Sequence, residues 1–163
     1  LDWVNSQHLA NLSIDDFKSY IKPFLKKIGI EIEDHPNLDL MINAMRSSDN
    51  TLSGIAESLV PYFKDIPAFD TKAIDKFLSE GSGILEDIKD VLLKVDNWNE
   101  TTIDSVLKNY QNEHNLPVPK VNQPIRIALT GSTKSPSLGL TLSIFGKEES
   151  IKRIQNLIDL ISN

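Results

Sequence analysis

Side chains able to do chemistry are sparse in this sequence. The histidines His8, His35 and His114 are scattered, with no second histidine or carboxylate at a spacing that would share a metal ion. They read as loop or surface histidines. Glu31, Glu33 and Asp34 cluster at a helix exit with no basic or metal partner nearby, the pattern of a solvated turn. Cysteine is absent, which excludes disulfides, thiolate metal sites and a cysteine nucleophile, and fits a cytosolic compartment. Gly81-Ser82-Gly83 lies between two helical segments, whereas a phosphate cradle needs its glycines between a strand and a helix; it reads as a hinge. Thr130-Gly131-Ser132-Thr133-Lys134-Ser135 lacks the first glycine and the spacing of G-x-x-x-x-G-K-S/T. With no nucleophile–base pair, metal cluster or phosphate loop, the residues argue against catalysis by this chain itself.

Binding chemistry is left, and charge bears on it. The net charge of -6 and pI near 5.0 argue against nucleic acid when taken globally, because non-specific binders are usually basic. The distribution is uneven: residues 1–115 carry net -9, while residues 116–163 carry six Lys and Arg against three Asp and Glu. The basic surplus sits at the C-terminal end. Charge alone describes solvated faces equally well.

The elements that must position these residues are helical. Apolar residues recur at three- and four-residue spacing, and sustained two-residue alternation is missing, so the expected class is all-α. Ser13 with Asp16 forms a capping-box pattern ahead of Ile14, Phe17, Ile21, Leu25 and Ile28, and Gly29 stops that helix. Pro23 predicts a kink or two short helices. Asn37 and Thr51 are candidate caps for helices carrying Leu38, Met41, Ile42 and Met45, and Leu52, Ile55, Leu59 and Phe63. Two prolines between Pro61 and Asp70 place a boundary near Asp70, giving a first subdomain over 1–70 and a second over 71–163. Beyond it, 73–78, 84–95 and 102–110 read as helices, and Leu116-Pro117-Val118-Pro119 as a stiff extended linker. Pro124 suits the first turn of a helix ending at Gly131, and Pro136 the first turn of one ending at Gly146. A last amphipathic helix carries Ile151, Ile154, Leu157, Ile158 and Ile161 on one face.

A chain of 163 residues suffices for one or two small domains, and folding at this length buries roughly 70% of the unfolded surface. No apolar run reaches membrane-spanning length, and Leu1-Asp2-Trp3-Val4-Asn5 lacks the basic and apolar regions of a signal peptide. The absence of an initiator Met suggests a fragment.

One stretch carries a resemblance. Gln123-Pro124-Ile125-Arg126-Ile127-Ala128-Leu129-Thr130-Gly131 followed by Ser135-Pro136-Ser137-Leu138 resembles the pattern P-L-R-x-A-L-T-G-x-x-x-S/T-P-x-L of bacterial glutamyl-tRNA synthetases. It continues through Phe145-Gly146-Lys147-Glu148 and Arg153, similar to the family's L-G-K-E and following Arg. Upstream, residues 1–8 resemble K-L-x-W-x-N-x-x-H/Y, and Trp98 falls where the family has a Trp opening a helix. The resemblance spans the chain and identifies it with the C-terminal, anticodon-binding third of the family. Absent are the catalytic His-x-Gly-His and Lys-Met-Ser-Lys-Ser signatures of the upstream Rossmann domain, so the fragment alone is expected not to aminoacylate.

The resemblance implies a helical anticodon-binding region of two subdomains, in a cytoplasmic, monomeric glutamate–tRNA ligase. ATP and Mg are implied for the parent's catalytic domain, and no cofactor for this fragment. RNA loops are read through splayed bases that meet side chains and stacking surfaces. Carried over by the motif are Arg126, whose donor fork suits a base edge or phosphate, the hydroxyl of Ser135, and rigid apolar surface from Pro136 and Leu138. Lys134, Lys147 and Arg153 are expected to add phosphate attraction, which positions RNA without reading sequence.

One departure bears on specificity. Met45-Arg46-Ser47-Ser48-Asp49-Asn50-Thr51-Leu52 resembles the family's M-R-x-R-x-x-T-L, whose second Arg helps read the third anticodon base; here that position is Ser48. Arginine donors suit the acceptors of cytosine and oppose the ring N–H and amino donors of guanine, whereas a serine hydroxyl donates or accepts. The expectation is an enzyme that accepts tRNA(Gln) as well as tRNA(Glu), or prefers it, with Arg46 reaching the same base in compensation. Apart from the resemblance, composition and periodicity equally allow an all-α scaffold or protein-interaction domain without RNA binding.

Overall fold

The protein is seen here as a computed structural model that describes residues 6–32 and 35–163, the side chains of Ser6 and Gln7 excepted. The motif match at 1–5 and Glu33 and Asp34 of the acidic cluster lie outside the described residues. Among the described residues the regular structure is helical: α1 (Ser6–Asn11), α2 (Ile14–Lys27), α3 (Leu38–Met45), α4 (Leu52–Phe63), α5 (Thr71–Phe77), α6 (Gly83–Leu93), α7 (Glu100–Glu113), α8 (Val118–Thr130), α9 (Leu138–Phe145) and α10 (Lys147–Ser162). The all-α expectation is met. The helices fall into two compact units, Leu1–Asp65 and Ile66–Asn163. The division precedes Asp70 by five residues, because the segment after Asp65 is held by the second unit: Phe69 packs on its core and the Asp70 amide donates to Gly131 O at 2.7 Å.

In the first unit the apolar stripe of α2, Phe17, Ile21 and Leu25, is fully buried together with Met41 and Ile42 of α3 and Ile55 and Leu59 of α4. Each such side chain contributes about 1.5–3 kcal/mol through burial. Ser13 caps α2 by accepting from the Asp16 amide at 3.2 Å. At the other end Gly29, at φ +80, lets its own amide reach Lys26 O and the Ile30 amide reach Leu25 O, the paired bonds of a Schellman motif. Asn37 occupies the N-cap of α3 but its side chain makes no capping bond there. Thr51 caps α4 as its type predicts, accepting from the Gly54 amide at 3.0 Å.

Three helices run through a proline, and at Pro23 the chain does not divide into two short helices. Pro23 lies inside α2, Pro61 inside α4 and Pro124 inside α8. A proline removes the donor for the carbonyl four residues earlier. Those carbonyls belong to Ser19, Glu57 and Lys120, all exposed residues, so water can take the missing donor's place. The stretch 116–119 is likewise not a linker. Pro117 is the extended N-cap of α8, and Val118 and Pro119 form its first turn, where a missing N–H leaves nothing unpaired.

The second unit has one core, made by Leu85, Ile88 and Leu92 of α6, Ile103 and Leu107 of α7, Val121, Ile125, Ala128 and Leu129 of α8, Leu138 and Leu142 of α9, and Ile154, Leu157 and Ile158 of α10. The last helix packs on α6, α8 and α9 and joins the unit together. Trp98 links α9 to the start of α7, its indole donating to Leu142 O at 2.9 Å.

Candidate functional site

Where α8 ends, a short loop over 131–137 leads into α9, and this is where the motif residues meet. Gly131 ends the helix at φ +84, a left-handed conformation that side chains resist. Space also demands glycine: a Cβ here would stand 2.6 Å from Ile66 Cγ2 and 2.9 Å from Ala68 O. Thr130 and Ser132 then turn the chain, with the single proton of Thr130 Oγ1 shared between Arg126 O at 2.9 Å and Ser132 O at 3.1 Å and the Lys134 amide donating to Ser132 Oγ at 3.2 Å.

The far end of the loop is fixed from another helix. The Gly139 amide donates to Asp104 Oδ1 of α7 at 2.9 Å, and Ser137 Oγ donates to Glu100 Oε1 at 3.4 Å. Asp104 thus serves α9 as a cap drawn from 35 residues upstream. A Cβ on Gly139 would meet that carboxylate at 2.3 Å. Because the helix starts at Leu138 with Ser137 as N-cap, Pro136 precedes the first turn and does not form it.

Arg126 faces this loop from α8. Its Nε donates to Ser135 Oγ at 3.0 Å and its Nη1 to Gln123 Oε1 at 3.3 Å, and Ser135 Oγ donates in turn to Pro136 O at 2.8 Å. The side chain is half-buried and makes no ion pair among the described residues. Desolvation lowers its pKa, yet a guanidinium stays protonated at any physiological pH. A permanent cation partly withdrawn from water, held by neutral groups and not matched by a carboxylate, favours an incoming acceptor or anion.

The other sequence candidates go to different places. Leu138 is 3% exposed and belongs to the core, so it offers no apolar surface; the first turn of α9 points it inward. Pro136 is half-buried beside Ser135. Lys134 is exposed on the loop. Lys147 is spent on structure: its Nζ donates to Leu93 O at 2.8 Å and Val95 O at 2.6 Å, satisfying carbonyls at the end of α6. Arg153 is 8% exposed, donates to Leu129 O at 2.7 Å, pairs with Glu149 at 2.9 Å and lies over the Phe145 ring. Both cations are thus engaged with buried or helix-end acceptors of the chain itself.

In the first unit Arg46 is the C-cap residue of α3, and its Nη2 donates to Leu9 O and to Leu12 O, the latter at 2.7 Å. Its guanidinium lies 4.8 Å from the Phe17 ring centroid, and Nη1 reaches Asn43 Oδ1 at 3.4 Å. Its Nη2 donors are thus committed to the end of α1. Ser48 is exposed in the α3–α4 turn, its amide donating to Met45 O at 2.9 Å. Asp49, beside it, accepts from the Thr51 amide at 2.9 Å.

Sequence reasoning missed Gln123 and Asp104. Gln123 stands one helical turn before Arg126, a spacing that puts two side chains on one face and was available as a signal. Asp104 had none, since its bond to Gly139 is made only by the packing of α7 on α9.

Fold and site together define an all-helical module that presents a half-buried, acceptor-seeking arginine beside a fixed loop. Residues 16–158 match the family model described as an anticodon binding domain, and the chain belongs to that family. It is 34% identical over 154 residues to a glutamate–tRNA ligase of Myxococcus xanthus, covering 93% of this chain and 32% of that protein. The glutamate–tRNA ligase of Thermus thermophilus is 29% identical over 159 residues, covering 97% of this chain and 34% of the relative. The chain therefore spans about a third of the length of the curated relatives it matches. A crystal structure of a glutamate–tRNA ligase from Elizabethkingia meningosepticum shares the fold, with a TM-score of 0.81 over 96% of this chain and 31% of that one, at 23% identity.

Proposed function

We propose that this chain reads the tRNA anticodon as the C-terminal part of a cytoplasmic, monomeric glutamate–tRNA ligase, which as a whole attaches glutamate to tRNA with ATP and Mg. The observation that carries this reading is Arg126: half-buried, without a carboxylate partner among the described residues, and set in an anticodon-binding family member similar along nearly its whole length to such ligases. Its fork supplies donors to a base edge or phosphate, and Lys134 supplies screened attraction. Binding of tRNA(Glu) to the full-length protein should weaken as salt rises, and Arg126→Ala should weaken it further at every salt concentration. No binding at low salt would refute the proposal.

For specificity we propose tolerance of tRNA(Gln). Ser48 puts no cation in the α3–α4 turn, and Arg46 is bound to α1 carbonyls, so no arginine in that stretch is placed to oppose the donors of guanine. The full-length protein should glutamylate both tRNA(Glu) and tRNA(Gln), with Ser48→Arg selectively suppressing the second. Strong rejection of tRNA(Gln), indifferent to Ser48→Arg, would overturn this.

A further inference from the structure

We infer that Ser135 serves RNA binding by positioning Arg126, and that Gln123 completes the same clamp; this deepens the proposal that Arg126 reads RNA. A serine hydroxyl has one proton to give. In Ser135 that proton goes to Pro136 O at 2.8 Å, while the oxygen accepts from Arg126 Nε at 3.0 Å. The hydroxyl therefore has no donor left for an acceptor on a base. Its geometry instead relays the rigid backbone of Pro136 to the guanidinium.

Gln123 Oε1 takes an Nη1 hydrogen from the same group at 3.3 Å, so the plane is fixed at two points. With Nε occupied, the side-on fork that Nε makes with its neighbouring Nη is closed. Recognition falls to the Nη hydrogens that Gln123 does not hold.

The support under this clamp is stiff. Gly131 is locked against Ile66, Ala68 and Asp70 at one end of the loop, and Gly139 is tied to Asp104 just past the other. A long side chain that would otherwise lose several rotatable degrees of freedom on binding RNA is already ordered, which lowers the entropic cost of recognition.

Two measurements test this. In the free chain, proton–nitrogen NMR should show an Arg126 Nε–H protected from solvent exchange; protection should vanish in Ser135→Ala and return in Ser135→Thr. In the full-length protein, Ser135→Ala should weaken tRNA binding about tenfold. Ser135→Thr should restore it, and Ser135→Ala should add nothing in an Arg126→Ala background. Unchanged exchange in Ser135→Ala overturns the inference, as does a further loss of binding in the double variant, which would mean that the hydroxyl touches RNA directly. If Arg126→Ala binds tRNA normally, the reading role of Arg126 fails, and the exchange measurement still decides the clamp.

Discussion

Arg46 and Arg126 both lie in motif segments and both are half-buried, yet their surroundings assign them opposite tasks. Arg46 gives its donors to backbone carbonyls at the end of α1 and its face to Phe17. Those acceptors cannot leave without unsatisfying the end of a helix, so the cation is part of the fold. Arg126 is held by a hydroxyl and an amide, neutral side chains that steer it without neutralising it. The contrast teaches that an arginine's chemistry is set by which acceptors already hold it. Charge and motif membership do not distinguish the two.

Substitution should separate them along different observables. The largest effect belongs to Arg46→Ala, which strips charged hydrogen bonds from Leu9 and Leu12 carbonyls and removes the stacked cation, costing about 3 kcal/mol in urea unfolding. A loss below about 1 kcal/mol would break the comparison, because such a cost suits an exposed surface residue. Arg126→Ala should reverse the pattern, with tRNA binding by the full-length protein falling about tenfold to hundredfold and stability changing by under about 1 kcal/mol. Lys147→Met should cost about 1 kcal/mol of thermal stability and leave tRNA affinity unaltered, since its ammonium serves Leu93 and Val95. The smallest stability effect is expected of Ser48→Arg, within about 0.5 kcal/mol for an exposed turn, which confines its influence to the choice between tRNAs.

Legibility in the sequence followed the range of the interaction. The stripe Phe17, Ile21 and Leu25, the caps Ser13 and Thr51 and the stop at Gly131 are local signals, and each appears where its residue type requires. Pro23 misled as a divider of α2, and Pro124 as the start of α8, because a proline's cost depends on whether the carbonyl four residues back faces water, which only the folded surface decides. Within the candidate site the motif brought out Arg126 and Ser135, which do meet. It also brought out Leu138, Lys147 and Arg153, which the fold uses internally: Arg153 crosses 24 residues to reach Leu129 O, a contact that spacing along one helix cannot reveal. Gln123 was within reach of a helix-face argument, while Asp104 required the tertiary arrangement.

The bond from Gly139 to Asp104 also makes two distant positions interdependent under mutation. A side chain at 139 would have to swing the carboxylate aside and cost the Gly139 amide its acceptor, so Gly139→Ala should cost about 1 kcal/mol in the present background and less once Asp104 is already shortened to alanine. Tolerance at either position is therefore a property of the pair. A library varying both together should recover functional combinations that two libraries varying one at a time would discard.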